Sequence, residues 1–150
     1  MTLFLILLCL SVGQLGIFFT NEQAFDWYNT LAKPDWTLPN IVFPIVWTVL
    51  YVFMAVAAWL VWREKKPGYR NALIFWGVQL VLNAMWTPLF FGQQAILYGM
   101  VVIDILWFFL LHTMVLFYRY SKWASFLMFF YFLWISYAGI LNFLIWEMNT

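Results

Sequence analysis

The chain has 150 residues, of which 67% are hydrophobic and 9% are charged, and its formal net charge is +1. An average soluble domain carries about 25% charged residues. A water-soluble fold of this size could not hide so much apolar surface, so the composition predicts an integral membrane protein. With one cysteine, one histidine and no basic helix or arm, we expect no internal disulfide, no protein metal site and no nucleic-acid partner.

Five apolar segments have the roughly 20 residues that a helix needs to cross a bilayer. We predict spans near residues 3–19, 41–62, 71–91, 95–118 and 124–146. Because the connections are short, sequential spans are expected to pack as antiparallel neighbours. The predicted fold class is an all-α membrane protein, a single domain built as one bundle of five transmembrane helices. The first segment could instead be a cleaved signal peptide, although it lacks a basic leader.

The basic residues predict how the bundle is oriented. The second and fourth connections contain Arg63, Lys65, Lys66, Arg70, Arg119 and Lys122. The long first loop at residues 20–40 contains Lys33 alone. Because short loops rich in Lys and Arg stay in the cytoplasm, we expect a cytoplasmic N-terminus and an external first loop.

The second predicted span follows an unusual stretch, "KPDWTLPNIVFPIVWTVLY", which has three prolines and two tryptophans. Pro44 is expected in the first helical turn, where no intrahelical donor is lost. Trp47, Tyr51 and Met54 then form a stripe at helical spacing. Trp47 lies within two turns of the outer boundary, so an interfacial anchor and a pocket residue are equal alternatives on this pattern.

The third predicted span carries the next stripe, with Asn83, Trp86 and Phe90 on one face and Gln79 one turn below. Trp86 has the same two alternatives as Trp47. Pro88 cannot donate a hydrogen bond to the preceding turn, so we expect the helix to bend or open there. A disturbed turn beside an amide is tolerated at membrane depth where it lines a cavity or meets a protein partner.

Polar side chains at membrane depth are costly unless they face the bundle interior. We therefore expect five residues to point inward: Gln79, Asn83, Asp104, His112 and Asn142. On the fifth predicted span, Trp134, Ala138 and Asn142 recur at intervals of four. If the stripes converge, they enclose an aromatic cavity with a few hydrogen-bonding groups, a common small-molecule site. The structural alternative is that the amides only form hydrogen bonds between helices and that Trp134 only packs against a neighbouring helix.

Three stretches together resemble the tryptophan-rich sensory protein or translocator protein family, formerly called peripheral benzodiazepine receptors. They are "WYNTLAKPDWTLPNIVFPIVWTVLYVFMAVAAW", "LNAMWTPLFF" and "WISYAGILN". The resemblance covers essentially the whole chain in order. It implies a five-helix membrane protein, commonly a homodimer, that binds porphyrins such as protoporphyrin IX and benzodiazepine-type ligands under a lid formed by the first loop.

The resemblance also implies a set of site residues. The ligand-binding positions would be Tyr28, Trp47, Asn83, Trp86, Trp134 and Ala138. Trp27, Tyr28 and Trp36 of the lid would lie above Trp47. Asn83 would offer hydrogen bonds to a ligand carbonyl or carboxylate, while the indoles would stack on a planar ring system.

Three functions are compatible with this resemblance. The first is a receptor or sensor for porphyrins or other aromatic small molecules. The second is light- and oxygen-dependent porphyrin breakdown, with Trp47 and Trp134 as catalytic electron donors. The third is transport of tetrapyrroles or lipids, although no inverted repeat supports it. We expect no intrinsic cofactor, contact with membrane lipids, and a location in the cell membrane, or in the mitochondrial outer membrane if the source is eukaryotic.

Overall fold

The computed structural model describes residues 2–150, apart from the side chains of Thr2, Leu15 and Ile17. Throughout this described part of the chain, the regular structure is helical. The elements are α1 (Thr2–Phe19), α2 (Glu22–Thr30), α3 (Val42–Glu64), α4 (Tyr69–Thr87), a π-helical segment (Pro88–Gly92), α5 (Ile96–Tyr118) and α6 (Lys122–Met148). The predicted all-α class is confirmed.

Four of these helical segments are long and apolar enough to cross a membrane. They are α3, α4 together with the π-helical segment, α5 and α6. Among the described residues of α1, the apolar stretch is shorter, at Leu3–Gln14. The structure therefore supports a multi-pass membrane protein, while the fifth span stays a prediction.

The ends of the four long segments lie within two residues of the predicted positions. Before α3, the Val42 amide donates to the Pro39 carbonyl at 2.9 Å, and Pro44 lies in the first turn as expected. Before α6, the Ser121 hydroxyl accepts from the Ala124 amide at 3.3 Å. These turn and cap interactions satisfy backbone groups that have no partner inside the helix.

Helix α2 was not predicted, since the region at residues 20–40 was treated as a loop. Its start carries a recognisable signal. The Asn21 side chain accepts a hydrogen bond from the Ala24 amide at 2.9 Å, and Glu22 lies in the first turn. An Asn cap followed by an acidic residue is a standard start of a helix. The loop therefore carries structure of its own.

The bundle has two ends that differ in their connections. At the lid end lie residues 20–40 and the turn at residues 92–95, and at the far end lie residues 65–68 and 119–121. Helix α5 packs between α4 and α6, while α3 packs against α1 and α6. Near the far end, Ala57, Ala58 and Val61 of α3 are fully buried. Small side chains let the helix backbones approach closely there.

The prediction that five polar residues face the interior is partly wrong. Gln79, Asn83 and Asn142 are buried as expected. Asp104 and His112 instead lie on the exposed face of α5. The buried face of α5 is occupied by apolar residues and a threonine: Ile103, Leu106, Leu110, Thr113 and Phe117. Polarity alone therefore did not indicate how α5 is rotated about its axis.

Candidate functional site

A cavity of about 430 Å³ lies inside the bundle at its lid end. This volume is within the range of small-molecule sites. All six residues that the sequence predicts as ligand-binding line it: Tyr28, Trp47, Asn83, Trp86, Trp134 and Ala138. The structure thus brings these side chains together around one space. Whether they contact a ligand remains a prediction.

One wall of the cavity is built from aromatic rings of α3 and α6. The Trp47 ring stacks on Tyr51 with centroids 5.6 Å apart and meets the Trp134 ring edge-on at 6.4 Å. On its other side, Trp134 contacts the edge of Phe43 at 5.6 Å. Because Trp47 lines the cavity, its position agrees with the pocket alternative rather than with an interfacial anchor.

A second wall is formed by Trp86 and Phe90, whose rings stack at 5.0 Å and 13°. The Trp86 indole N–H donates to the Asn142 side-chain oxygen at 3.2 Å, and the Asn142 amide donates to the Ile96 carbonyl at 3.2 Å. Asn142 therefore links α4, α5 and α6 and fixes the Trp86 ring. The structural alternative for Asn142, hydrogen bonding between helices, is thus observed. Asn142 also lines the cavity.

The floor of the cavity is formed by Tyr51 and Asn83, which belong to a hydrogen-bonded triad with the underlying Tyr131. The Tyr51 hydroxyl donates to Asn83 Oδ1 at 2.8 Å, and Asn83 Nδ2 donates to the Tyr131 hydroxyl at 2.7 Å. Tyr131 is fully buried. A primary amide has two N–H donors and two oxygen lone pairs. Asn83 can therefore hold both tyrosines and still offer one donor and one acceptor.

Pro88 opens the helix as the sequence predicted. From Pro88 the chain is π-helical, and the Gln93 amide donates to the Pro88 carbonyl at 2.9 Å. π-helical turns are rare and often occur at functional sites. The segment contains Phe90, which is 2% exposed and lines the cavity. The wider turn therefore supplies part of the aromatic wall.

The roof of the cavity comes from α2, through Phe25 and Tyr28. Tyr28 packs on Phe91 at 5.7 Å, and burial raises the pKa of its hydroxyl to about 12. The expectation that Trp27 and Trp36 also cover the pocket is wrong. Neither lines the cavity: Trp27 packs against Phe90 at 5.5 Å, and Trp36 packs against another ring while remaining 48% exposed.

The loop is fastened to α6 by three hydrogen bonds, which we call the latch. Asn149 and the Ala32 backbone exchange two bonds, with the Ala32 amide donating at 3.0 Å and the Asn149 amide donating at 2.9 Å. The Leu38 amide donates to the Tyr137 hydroxyl at 3.2 Å. Lys33 caps the end of α2 by donating to the Tyr28 and Leu31 carbonyls. The lid is thus closed over the cavity.

No charged side chain is found among the described lining residues. The polar side chains that line the cavity carry amides and hydroxyls, which can form hydrogen bonds with ligand carbonyl or carboxyl groups. General acid–base catalysis needs a group that titrates near the working pH. The lining offers binding and aromatic chemistry instead.

The sequence analysis missed two residues that shape the site. Tyr131 holds Asn83 from below, and its position three residues before Trp134 places it on the same helix face. Gly13 of α1 lies so close to Tyr51 that an added Cβ would come within 2.8 Å of the ring. The spacing could have indicated Tyr131. The contact of Gly13 depends on how α1 docks, which no local pattern shows.

Comparison with known proteins identifies relatives of this sequence. The sequence model described as the TspO/MBR family matches residues 5–147. The tryptophan-rich protein TspO of Chlorobaculum tepidum is 43% identical over 144 residues, which cover 95% of this chain and 91% of that protein. Protein CrtK of Rhodobacter capsulatus is 38% identical, with coverage of 94% and 88%. The translocator protein of Bos taurus is 31% identical, with coverage of 91% and 83%.

Proposed function

This chain belongs to the TspO/MBR family, and from that premise we propose that it is a membrane receptor or sensor for planar aromatic molecules, with porphyrins such as protoporphyrin IX as the first candidates. One observation carries the proposal: Trp47, Trp86 and Trp134 surround a single uncharged cavity together with Asn83. Indole faces favour flat ring systems. The proposal also includes benzodiazepine-type ligands.

The triad in the cavity floor defines the polar part of recognition. Tyr51 and Tyr131 hold the Asn83 amide from both sides. Its remaining N–H is available to a ligand carbonyl or carboxylate. A buried donor that loses its acceptor costs about 1–3 kcal/mol. Ligands without an acceptor at this position are therefore expected to bind more weakly than those with one.

Equilibrium binding tests the proposal directly. Protoporphyrin IX is titrated into purified protein in detergent, and affinity is read from its absorbance and from quenching of tryptophan fluorescence. Asn83→Leu and Trp86→Phe are expected to weaken binding about tenfold or more, which corresponds to about 1.4 kcal/mol. The matched control is Trp123→Phe, since Trp123 is 71% exposed outside the cavity. Equal affinities for all variants would overturn the proposal.

A second candidate is light- and oxygen-dependent porphyrin breakdown. It is favoured by the edge-on contact of Trp47 and Trp134 at 6.4 Å beside the same cavity. In this reaction dioxygen is the oxidant and the excited porphyrin supplies the electrons, while an indole donates an electron to a radical intermediate and regains it from the porphyrin as its oxidation proceeds. Absorbance of bound protoporphyrin IX is followed under light and in darkness. Turnover lost in Trp47→Phe and Trp134→Phe, with binding retained, supports breakdown, whereas light-stable porphyrin contradicts it.

We also propose that α1 is the fifth span and that the N-terminus is cytoplasmic. Helix α1 packs along α3, buries Cys9 completely and contributes Gly13 and Gly16 to the cavity. Its 18 residues span about 27 Å at helical rise. In a Cys9→Ala background, a membrane-impermeant maleimide applied to intact cells is expected to label Gln93→Cys and to spare Lys66→Cys. The reverse pattern would invert the orientation.

The exposed Asp104 supports the proposed homodimer. It lies about 12 Å from the start of α5 at helical rise, on the same exposed face as Val101 and Phe108. An acidic side chain at this depth is expected to find a partner. In nanodiscs, Asp104→Leu is expected to shift the protein toward monomer, while Asp104→Asn retains hydrogen bonding and the dimer. A dimer that is unaffected by both changes would place the interface elsewhere.

A further inference from the structure

A second cavity lies outside the bundle, on the face where α3 and α6 meet. This membrane-side groove has a volume of about 410 Å³. Its lining residues are Ile45, Val46, Val49, Leu50, Phe53, Phe130, Leu133, Trp134 and Tyr137. The tyrosine hydroxyl among them already accepts from the Leu38 amide. The groove is therefore suited to apolar molecules.

The groove lies along the half of α3 that is nearer the lid end. On α3 it extends from Ile45 to Phe53, about 12 Å at helical rise, within a helix that is apolar enough to span a membrane. Val49 and Leu133, on opposite sides of the groove, are 46% and 49% exposed. A molecule dissolved in the bilayer can therefore reach the groove without crossing water.

Trp134 borders both the groove and the internal cavity. Among the described lining residues, it is the one that the two spaces share. Its ring meets Trp47 of the cavity wall at 6.4 Å and Tyr137 of the groove at 5.4 Å. The Trp134 indole is thus the candidate partition between the two spaces, since it contacts rings on both sides.

No hydrogen bond holds this indole in place. The Trp134 N–H is buried and has no partner among the described residues. By contrast, the Trp86 N–H is bonded to Asn142 at 3.2 Å, and the Trp107 N–H to Ser136 at 2.9 Å. A buried donor without an acceptor is already destabilising. Rotation of Trp134 breaks ring contacts but sacrifices no hydrogen bond.

The route through the lid is obstructed by comparison. Phe25 and Tyr28 cover the cavity, and the latch holds the loop to α6 through Asn149 and Tyr137. Opening this side breaks three hydrogen bonds and exposes aromatic surface to water. For a ligand that partitions into the bilayer, the path past Trp134 breaks no hydrogen bond of that side chain.

From these observations we propose that the groove is a docking site for planar aromatic molecules dissolved in the bilayer, and that Trp134 swings aside to admit them to the internal cavity. This inference rests on the proposed function, since it concerns the same ligands. Val49 and Leu133 line the groove and not the cavity, so filling the groove changes the rate of access and leaves the final bound state intact.

The test measures binding rates in nanodiscs with protoporphyrin IX as the probe. Rapid mixing follows quenching of tryptophan fluorescence for the wild type, Val49→Trp and Leu133→Trp. Each substitution fills the groove from a different side. If one variant fails to fold, the other still tests the groove. We expect association and dissociation to slow about tenfold with the equilibrium affinity unchanged. Val81→Trp is the control, because Val81 is 59% exposed and lines neither space.

Two further variants distinguish the routes. Trp134→Ala removes the partition and is expected to accelerate both rates. Asn149→Ala loosens the latch and is expected to leave both rates unchanged. If Asn149→Ala accelerates association while the groove variants bind at the wild-type rate, ligands pass through the lid and the inference is overturned. If the wild type does not bind the probe at all, the proposed function fails together with the inference.

Discussion

The two ends of the bundle are packed in opposite ways, and α3 shows both within one helix. Toward the lid end, α3 presents the large rings of Trp47 and Tyr51 to the cavity. Toward the far end, it presents Ala55, Ala57 and Ala58, each fully buried. Small residues allow close helix contact, whereas the large rings at the lid end surround a cavity of about 430 Å³. The closely packed far end thus holds the helices in place around the cavity at the lid end.

The triad in the cavity floor marks the boundary between these regions. Tyr51, Asn83 and Tyr131 come from α3, α4 and α6, so one polar layer ties three helices together where the packing changes. The far end holds these helices at fixed separation, and the triad fixes the amide that faces the cavity. The site is therefore prepared before a ligand arrives, which limits the ordering cost of binding.

The largest expected effect comes from truncating a leucine on α5 in each region. Leu110 is fully buried away from the cavity, while Leu106 is 1% exposed and lines the cavity. A buried Leu→Ala change costs about 2–5 kcal/mol. We expect Leu110→Ala to fall in the upper part of this range and Leu106→Ala in the lower part, because Leu106 already lacks contacts on one side. Denaturant unfolding in mixed micelles measures the difference, and equal costs would mean that the two regions are packed alike.

Enlarging an alanine is expected to distinguish the lid end from the far end more sharply. The expected loss of stability is smaller than for the leucine truncations. Ala58→Leu overpacks the far end and is expected to destabilise the fold by about 1–3 kcal/mol. Ala138→Leu projects into the cavity, so it should leave stability nearly unchanged while displacing ligand. Thermal unfolding and protoporphyrin IX titration of both variants provide the measurement. A strong loss of stability in Ala138→Leu would show that the space beside Ala138 is too small for added atoms.

The next test removes the Tyr131 hydroxyl from the triad. Tyr131→Phe leaves the Asn83 amide without its acceptor at 2.7 Å, and interhelical hydrogen bonds in membranes contribute about 0.6–1.7 kcal/mol. We expect a loss of about 1 kcal/mol in stability and weaker binding of acceptor-bearing ligands, because Asn83 can then turn. Tyr118→Phe is the control, since Tyr118 is 58% exposed. If the two phenylalanine variants behave identically, the triad does not position Asn83.

The helix limits and the aromatic and amide residues of the cavity stripes could be predicted because they depend on local properties. Apolar length and polar breaks locate the spans, and helical spacing places Trp47 and Tyr51 on one face. Pro88 also has a local effect, since its missing N–H disturbs the turn wherever the helix packs. The resemblance then added Tyr28, which spacing alone did not indicate.

The errors arose where tertiary packing decides. Helix α5 is apolar on nearly every face, so its sequence did not reveal which side is buried, and Asp104 and His112 were assigned to the wrong side. His112 in fact packs against Phe75 at 4.5 Å on the outside of the bundle. Trp36 was expected to cover the cavity because it lies in the first loop. Its ring instead packs against Tyr137 and is 48% exposed.

The smallest expected effect concerns the lid, where Asn149→Ala removes two of the three latch bonds. Both are exposed to solvent, so their combined contribution is expected to be about 1 kcal/mol. Hydrogen exchange of the Ala32 amide should then accelerate about fivefold, while amides of α3 near Ala58 keep their protection because the far end is untouched. Thr150→Ala is the matched control, since the Thr150 hydroxyl bonds to the Trp146 carbonyl and not to the loop. Faster exchange at both sites would mean that the lid and the far end open as one unit. That result would contradict the division of the bundle into two ends that are packed differently and open separately.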